Sequence, residues 1–190
     1  MRERKEVENH HLSTEGKMTD ELLTGRVFKY GDSVDTDVII PARYCTSYRA
    51  EELAPHALED LDPTFAERVE AGDVIVAGHN FGCGSSRENA PLAIKGAGVS
   101  CVIARSFARI FFRNSINIGL PILIAPDAVD GIEDGDQVEV EPASGTIRNL
   151  TRGGRWQASP FPPEVREIIR AGGLVGYVKG RLAQKPPDRS

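Results

Sequence analysis

No apolar run in this 190-residue chain reaches the roughly eighteen residues that a membrane-spanning helix needs, and its amino terminus has no apolar signal core. Cysteine is scarce. Cys45, Cys83 and Cys101 are too few and too irregularly spaced for a disulfide framework, and the odd count fits a reducing compartment, so a cytoplasmic location is expected. A basic excess is also missing. The 23 Lys and Arg against 28 Asp and Glu leave a net charge of -5, which argues against a general nucleic-acid surface and requires any anion site to be local. Outside the first residues histidine is limited to His56 and His79, neither with a metal-ligand partner at helical spacing.

What is present suffices for one core, since a chain of this length with 40% hydrophobic residues can bury roughly two thirds of its unfolded surface. Residues 1–24 mix charges without an apolar period and read as a disordered leader, with Met18 an alternative start. A single domain is expected over 25–180, followed by a loose polar tail over 181–190. Residues 26–30 and 38–40 read as short strands, and 51–60 and 63–71 as short helices. Strand, helix, strand, helix, strand then follows: strands at 74–78, 99–104 and 120–125, a helix up to Gly96 or Gly98 and a second helix over 106–117. Nearly continuous apolar strands of this kind imply an α/β fold with a parallel βαβαβ core buried on both faces. Period-two alternation in 137–141, 146–150 and 155–157, with tight turns between, adds an antiparallel β meander covering the other side of the core. A helix over 162–170 and a returning strand over 172–178 close the chain.

The strand at 74–78 empties into Gly78-His79-Asn80-Phe81-Gly82-Cys83-Gly84-Ser85-Ser86-Arg87-Glu88, at the sheet edge where parallel sheets bind ligands. Glycines let backbone approach a ligand closely, helix-initial N–H groups lack internal partners, and two hydroxyls with a guanidinium suit a carboxylate or phosphate. The loop has neither the Lys-Ser/Thr ending of a phosphate loop nor a dinucleotide or nucleophile-elbow pattern. Ser85 and Glu88 match a capping box, which would explain both without any ligand. Pro91 opposes that reading, because a helix capped at Ser85 would carry it in the second turn. A start near Glu88 or Asn89 frees the hydroxyls. Asp35-Thr36-Asp37, between the first two expected strands, is either a turn or an acidic site.

The motifs Asp35-Thr36-Asp37-Val38-Ile39-Ile40-Pro41, Asn80-Phe81-Gly82-Cys83-Gly84-Ser85-Ser86-Arg87-Glu88 and Ser106-Phe107-Ala108-Arg109-Ile110, in this order, resemble the swivelling β/β/α domain of the aconitase superfamily made as a separate chain. The type is that of the small subunits of 3-isopropylmalate dehydratase and the related homoaconitase and dimethylmalate enzymes. The resemblance implies a hydro-lyase active only with a large subunit bearing a [4Fe-4S] cluster, in a heterodimer or heterotetramer, and no cofactor bound by this chain. It also implies Ser85 as the base that removes a proton beside a carboxylate, Asp37 as a supporting acid, and Ser86 and Arg87 as substrate-carboxylate contacts.

The same resemblance makes the loop with Tyr44, Thr46 and Ser47 the chooser of the substrate side group. Thr46 and Ser47 are small and neutral where a distal carboxylate would call for arginine. That disfavours homoaconitate unless Arg43 or Arg49 supplies the charge, and leaves isopropylmalate, citramalate and dimethylmalate open. The alternative from another class is a non-catalytic anion-binding module.

Overall fold

The computed structural model describes residues 22–183. Most of the expected leader, Met18 and the end of the tail lie outside the described residues. In chain order the elements are β1 (Leu23–Lys29), α1 (Thr36–Ile39), α2 (Ala50–Leu53), α3 (Phe65–Arg68), β2 (Val74–Ala77), α4 (Asn89–Gly96), β3 (Cys101–Ala104), α5 (Arg109–Asn117), β4 (Ile122–Ile124), α6 (Pro126–Gly131), β5 (Gln137–Glu141), β6 (Thr146–Asn149), β7 (Arg155–Gln157), α7 (Pro163–Arg170) and α8 (Leu174–Ala183).

One seven-stranded sheet runs β4-β3-β2-β1-β5-β6-β7. β4 to β1 are parallel, as their uninterrupted apolar sequences require, and β5 to β7 form the antiparallel meander. β1 joins the two halves by changing partner along its length. Residues 23–26 pair antiparallel with β5, and residues 27–29 pair parallel with β2. At the change-over Arg26 N donates to the Asp73 carboxylate and Val27 N to the Asp136 carbonyl, so neither amide is stranded.

Strand alternation sorts the core into two sides. Phe28, Ile75, Ala77, Val102, Ala104 and Ile122 point toward α1, α4 and α5, meeting Ile39, Ile94 and Phe111. Val27, Val74, Val76, Cys101, Ile103 and Leu123 point the other way and are covered by Ala128 and Val129 of α6 and by Val138, Val140 and Ile147 of the meander. The meander thus covers the far side as expected, yet it does so by curling within the same sheet.

Four local readings are corrected. Residues 38–40 are not a strand: the Asp35 carboxylate accepts from Asp37 N at 2.7 Å and caps the short α1. The helix expected from 106 starts at Arg109, because Phe107 makes a parallel bridge with Phe81 and keeps the entry extended. Residues 172–178 form no strand. Leu174, Val175, Val178 and Leu182 recur at helical spacing in α8, which also takes residues 181–183 of the expected tail. α6 was missed, although Pro126 at its first turn is a helix-start signal.

Candidate active site

The carboxyl ends of β1, β2 and β3 carry the first motif, the glycine-serine loop and the third motif, and backbone bonds continue past the formal strands to hold them together. Ser33 N donates to the His79 carbonyl at 2.7 Å, Gly82 N to Val34 O at 2.8 Å and Thr36 N to Cys83 O at 2.7 Å. The Thr36 hydroxyl reaches the Ser85 carbonyl at 3.0 Å. On the opposite side Phe81 N donates to Ser106 O and Ala108 N to Phe81 O, both at 3.0 Å. Below the loop, fully buried Phe81 meets Phe111 edge-on at 5.3 Å and Phe107 at 6.2 Å. The base of the loop is thereby held while residues 84–86 stay exposed.

Gly82 and Gly84 have φ of +77° and +88°, and a Cβ would overlap the Phe111 ring at the first and the Asp35 carboxylate at the second. These positions need glycine both for the left-handed turn and for the close approach. Ser85 and Ser86 stand exposed above them. The capping-box reading is excluded. α4 begins at Asn89, its cap position is Glu88, and no side-chain cap bond forms; Pro91 falls in the first turn, where it costs no helix bond. The N–H groups of residues 85–88 donate to no described group.

Arg87 turns toward α1. Its Nη1 lies 2.5 Å from Asp37 Oδ1, 3.5 Å from the Ile40 carbonyl and 3.8 Å from Cys45 Sγ. The structure therefore brings Ser85, Ser86, Arg87 and Asp37 together. The loop with Tyr44, Thr46 and Ser47 is tied to the start of α4 by Asn89, whose amide donates to Ser47 O at 2.6 Å, and the Ser47 hydroxyl accepts from Arg49 N. Thr46 is exposed. Tyr44 is turned elsewhere: its hydroxyl donates to Glu59 at 2.9 Å and its ring stacks on His56 at 3.5 Å.

Glu59 anchors that loop. Burial acts to raise its carboxyl, but donors from Arg43, His56 and Tyr44 outweigh it and bring the pKa from 4.5 down to about 2. A depressed carboxyl stabilises the fold above its ordinary pKa and loses that contribution as pH falls toward about 2. Replacing Glu59 with Gln is accordingly expected to flatten the decline of the melting temperature between pH 4.5 and 2, measured by thermal melts across that range. An unchanged slope would remove Glu59 as the anchor. Arg43 is paired with Glu59 and Asp60, and Arg49 with Glu51 and Glu52, so both candidates for a distal carboxylate are already engaged.

Two clefts flank the loop. One, of about 580 Å³, is lined by Asn80, Gly84, Ser85, Arg109, Ile110 and Arg113. The other, of about 420 Å³, is lined by Cys45, Tyr48, Ser86, Arg87, Asn89 and Arg113 among others. Sequence reasoning quoted Arg109 in the third motif without giving it a role and did not name Arg113, although their i, i+4 spacing in α5 was a sign that they share a face.

Cys83 is a poor nucleophile here. Burial, and then the Asp35 carboxylate, push its thiol up and keep it protonated. Nor do the cysteines fit a cluster. Cys101 is buried on the far side of the sheet, Cys45 faces the Ile40 and Pro41 carbonyls and Arg87, and among the described residues no group of three His, Cys, Asp or Glu could hold a metal ion. No described helix is long and apolar enough to cross a membrane.

A parallel sheet with a hydroxyl-rich glycine loop at its carboxyl edge, fixed to an acidic turn, defines the class: residues 45–127 match the aconitase C-terminal domain family. The chain is 60% identical over 161 residues to the 3-isopropylmalate dehydratase small subunit of Caldicellulosiruptor bescii, covering 85% of this chain and 97% of that one. It is 61% identical over 160 residues to the same subunit of Halothermothrix orenii, covering 84% and 97%. The crystal structure of 3-isopropylmalate dehydratase from Methanocaldococcus jannaschii superposes with a TM-score of 0.81 at 47% identity, covering 86% of this chain and 96% of that one. The chain belongs to the family of 3-isopropylmalate dehydratase small subunits.

Proposed function

We propose that this chain is the small subunit of a hydro-lyase that interconverts 3-isopropylmalate and 2-isopropylmalate by dehydration and rehydration, as a step in leucine biosynthesis. The observation that carries the reading is the loop itself, with Ser85 and Ser86 exposed on a fixed base, beside Arg87 and Asp37. Family membership supports the same reaction. Ser85 is the base that takes the proton from the carbon next to a carboxylate. The C–H electron pair becomes the carbon–carbon double bond as the neighbouring hydroxyl departs, and return of water at the other carbon gives the isomer. A serine hydroxyl is a weak base, so its alkoxide requires amide N–H groups and a cation close by, which residues 85–88 provide. Ser86 and Arg87 hold a substrate carboxylate, and Asp37 keeps the Arg87 guanidinium oriented.

The [4Fe-4S] cluster is assigned to the large subunit, where it would polarise the departing hydroxyl. The large chain and this one, expected over 25–180, assemble as a heterodimer or heterotetramer in the cytoplasm. Substrate choice falls to the loop with Tyr44, Thr46 and Ser47, in which Tyr44 acts through its bond to Glu59 and Thr46 lies open.

With Arg43 and Arg49 engaged, a third carboxylate has no free arginine in this loop. The reconstituted complex is expected to prefer isopropylmalate to homoaconitate by at least about 100-fold in kcat/KM, since an unpaired buried charge costs a few kcal/mol. Assays against isopropylmalate, citramalate, dimethylmalate and homoaconitate measure it, and equal use of homoaconitate would overturn the assignment.

A further inference from the structure

We infer that Arg113 is a second carboxylate-binding residue of the active site, holding the substrate carboxylate that Arg87 does not. The inference rests on the hydro-lyase reading above and extends it to a residue that none of the three motifs contains. Arg113 is exposed on α5 and lines both clefts, the one containing Ser85 and the one containing Ser86 and Arg87. It therefore borders the loop that carries Ser85, Ser86 and Arg87, while the Arg87 side chain itself is turned toward Asp37.

The two guanidiniums differ in how much charge they can offer. Arg87 already faces the Asp37 carboxylate at 2.5 Å, whereas Arg113 forms no ion pair among the described residues. A malate derivative carries two carboxylates, and one guanidinium shared with Asp37 cannot neutralise both. A planar guanidinium beside the first serine gives the other a bidentate partner. The carboxylate on the carbon that loses the hydroxyl takes up little of the negative charge that develops where the proton leaves, so contact with it is made to a similar extent in ground and transition states and acts mainly on KM.

The test uses the reconstituted two-subunit enzyme. Arg113→Gln is expected to raise KM for isopropylmalate by roughly 10- to 100-fold with kcat changed less than threefold, and Arg113→Lys to recover part of the loss. The diagnostic readout is inhibition by succinate against butyrate. In the parent enzyme the dicarboxylate should bind far better, and in Arg113→Gln that preference should shrink by about the same factor as KM rises. A merely structural role would weaken both inhibitors together. Unchanged KM and unchanged discrimination would overturn the inference, as would loss of large-subunit affinity at unaltered KM, which would assign Arg113 to the subunit contact. An inactive parent complex would instead overturn the hydro-lyase reading, and this inference with it.

Discussion

Ser85→Ala is expected to lower turnover of the reconstituted enzyme by at least about 10³-fold while leaving subunit assembly intact. The loss is large because a proton beside a carboxylate is only weakly acidic, and removal of the base forfeits both the proton acceptor and its preorganised surroundings. Assembly should survive because the Ser85 hydroxyl supports nothing else. It is exposed, it does not cap α4, and the bond that ties this residue to Thr36 uses the backbone carbonyl, which alanine retains. Steady-state kinetics together with the affinity for the large subunit check both halves. Near-normal turnover would remove Ser85 as the base.

Gly82→Ala should have the largest effect on stability. A φ of +77° costs an alanine about 1–2 kcal/mol, and overlap of its Cβ with the buried Phe111 ring adds about 1–3 kcal/mol. A destabilisation of about 2–5 kcal/mol, or roughly 10 °C in melting temperature, follows for a chain of this size. The two contributions separate in a double-mutant cycle. In a Phe111→Gly background both the ring and the Phe111 Cβ, which also overlaps the added methyl and which alanine would keep, are gone and only the backbone strain remains, so Gly82→Ala should cost clearly less there. Equal cost in both backgrounds would show that the ring does not constrain the loop.

The part of the site built from local chemistry was legible in the sequence. Glycine, serine and arginine between an apolar strand and a helix state a ligand loop in one contiguous stretch, and Pro91 pointed to the late start of α4 that frees Ser85. Parallel strands were legible for a similar reason, since burial on both faces leaves a run such as Val74-Ile75-Val76-Ala77 with no polar position. What depends on distant partners was not. Nothing in Leu23–Lys29 states that β1 divides its length between two neighbours, because that split is set by Val74 on one edge and Val138 on the other. Val38-Ile39-Ile40 reads as a short apolar run stopped by Pro41, and the cap formed by Asp35 decided for a helix. Arg113 escaped notice because a single arginine on an amphipathic helix ordinarily faces solvent, and only the arrangement of α5 beside the loop gives it a second role. The direction of Tyr44 is fixed by Glu59 and His56, twelve or more residues further along the chain, which its own segment does not state.

In the proposed hydro-lyase the active site is divided between two chains, this one contributing Ser85, Ser86, Arg87 and Asp37, and the large subunit contributing the cluster. Anaerobic reconstitution tests that division most directly, with isopropylmalate as substrate and the unsaturated intermediate followed by ultraviolet absorbance. Each subunit alone is expected to be inactive, with activity rising to saturation as this chain is titrated into the large subunit. Activity indifferent to the presence of this chain, or a pair that stays inactive while this chain alone binds small dicarboxylates, would contradict it.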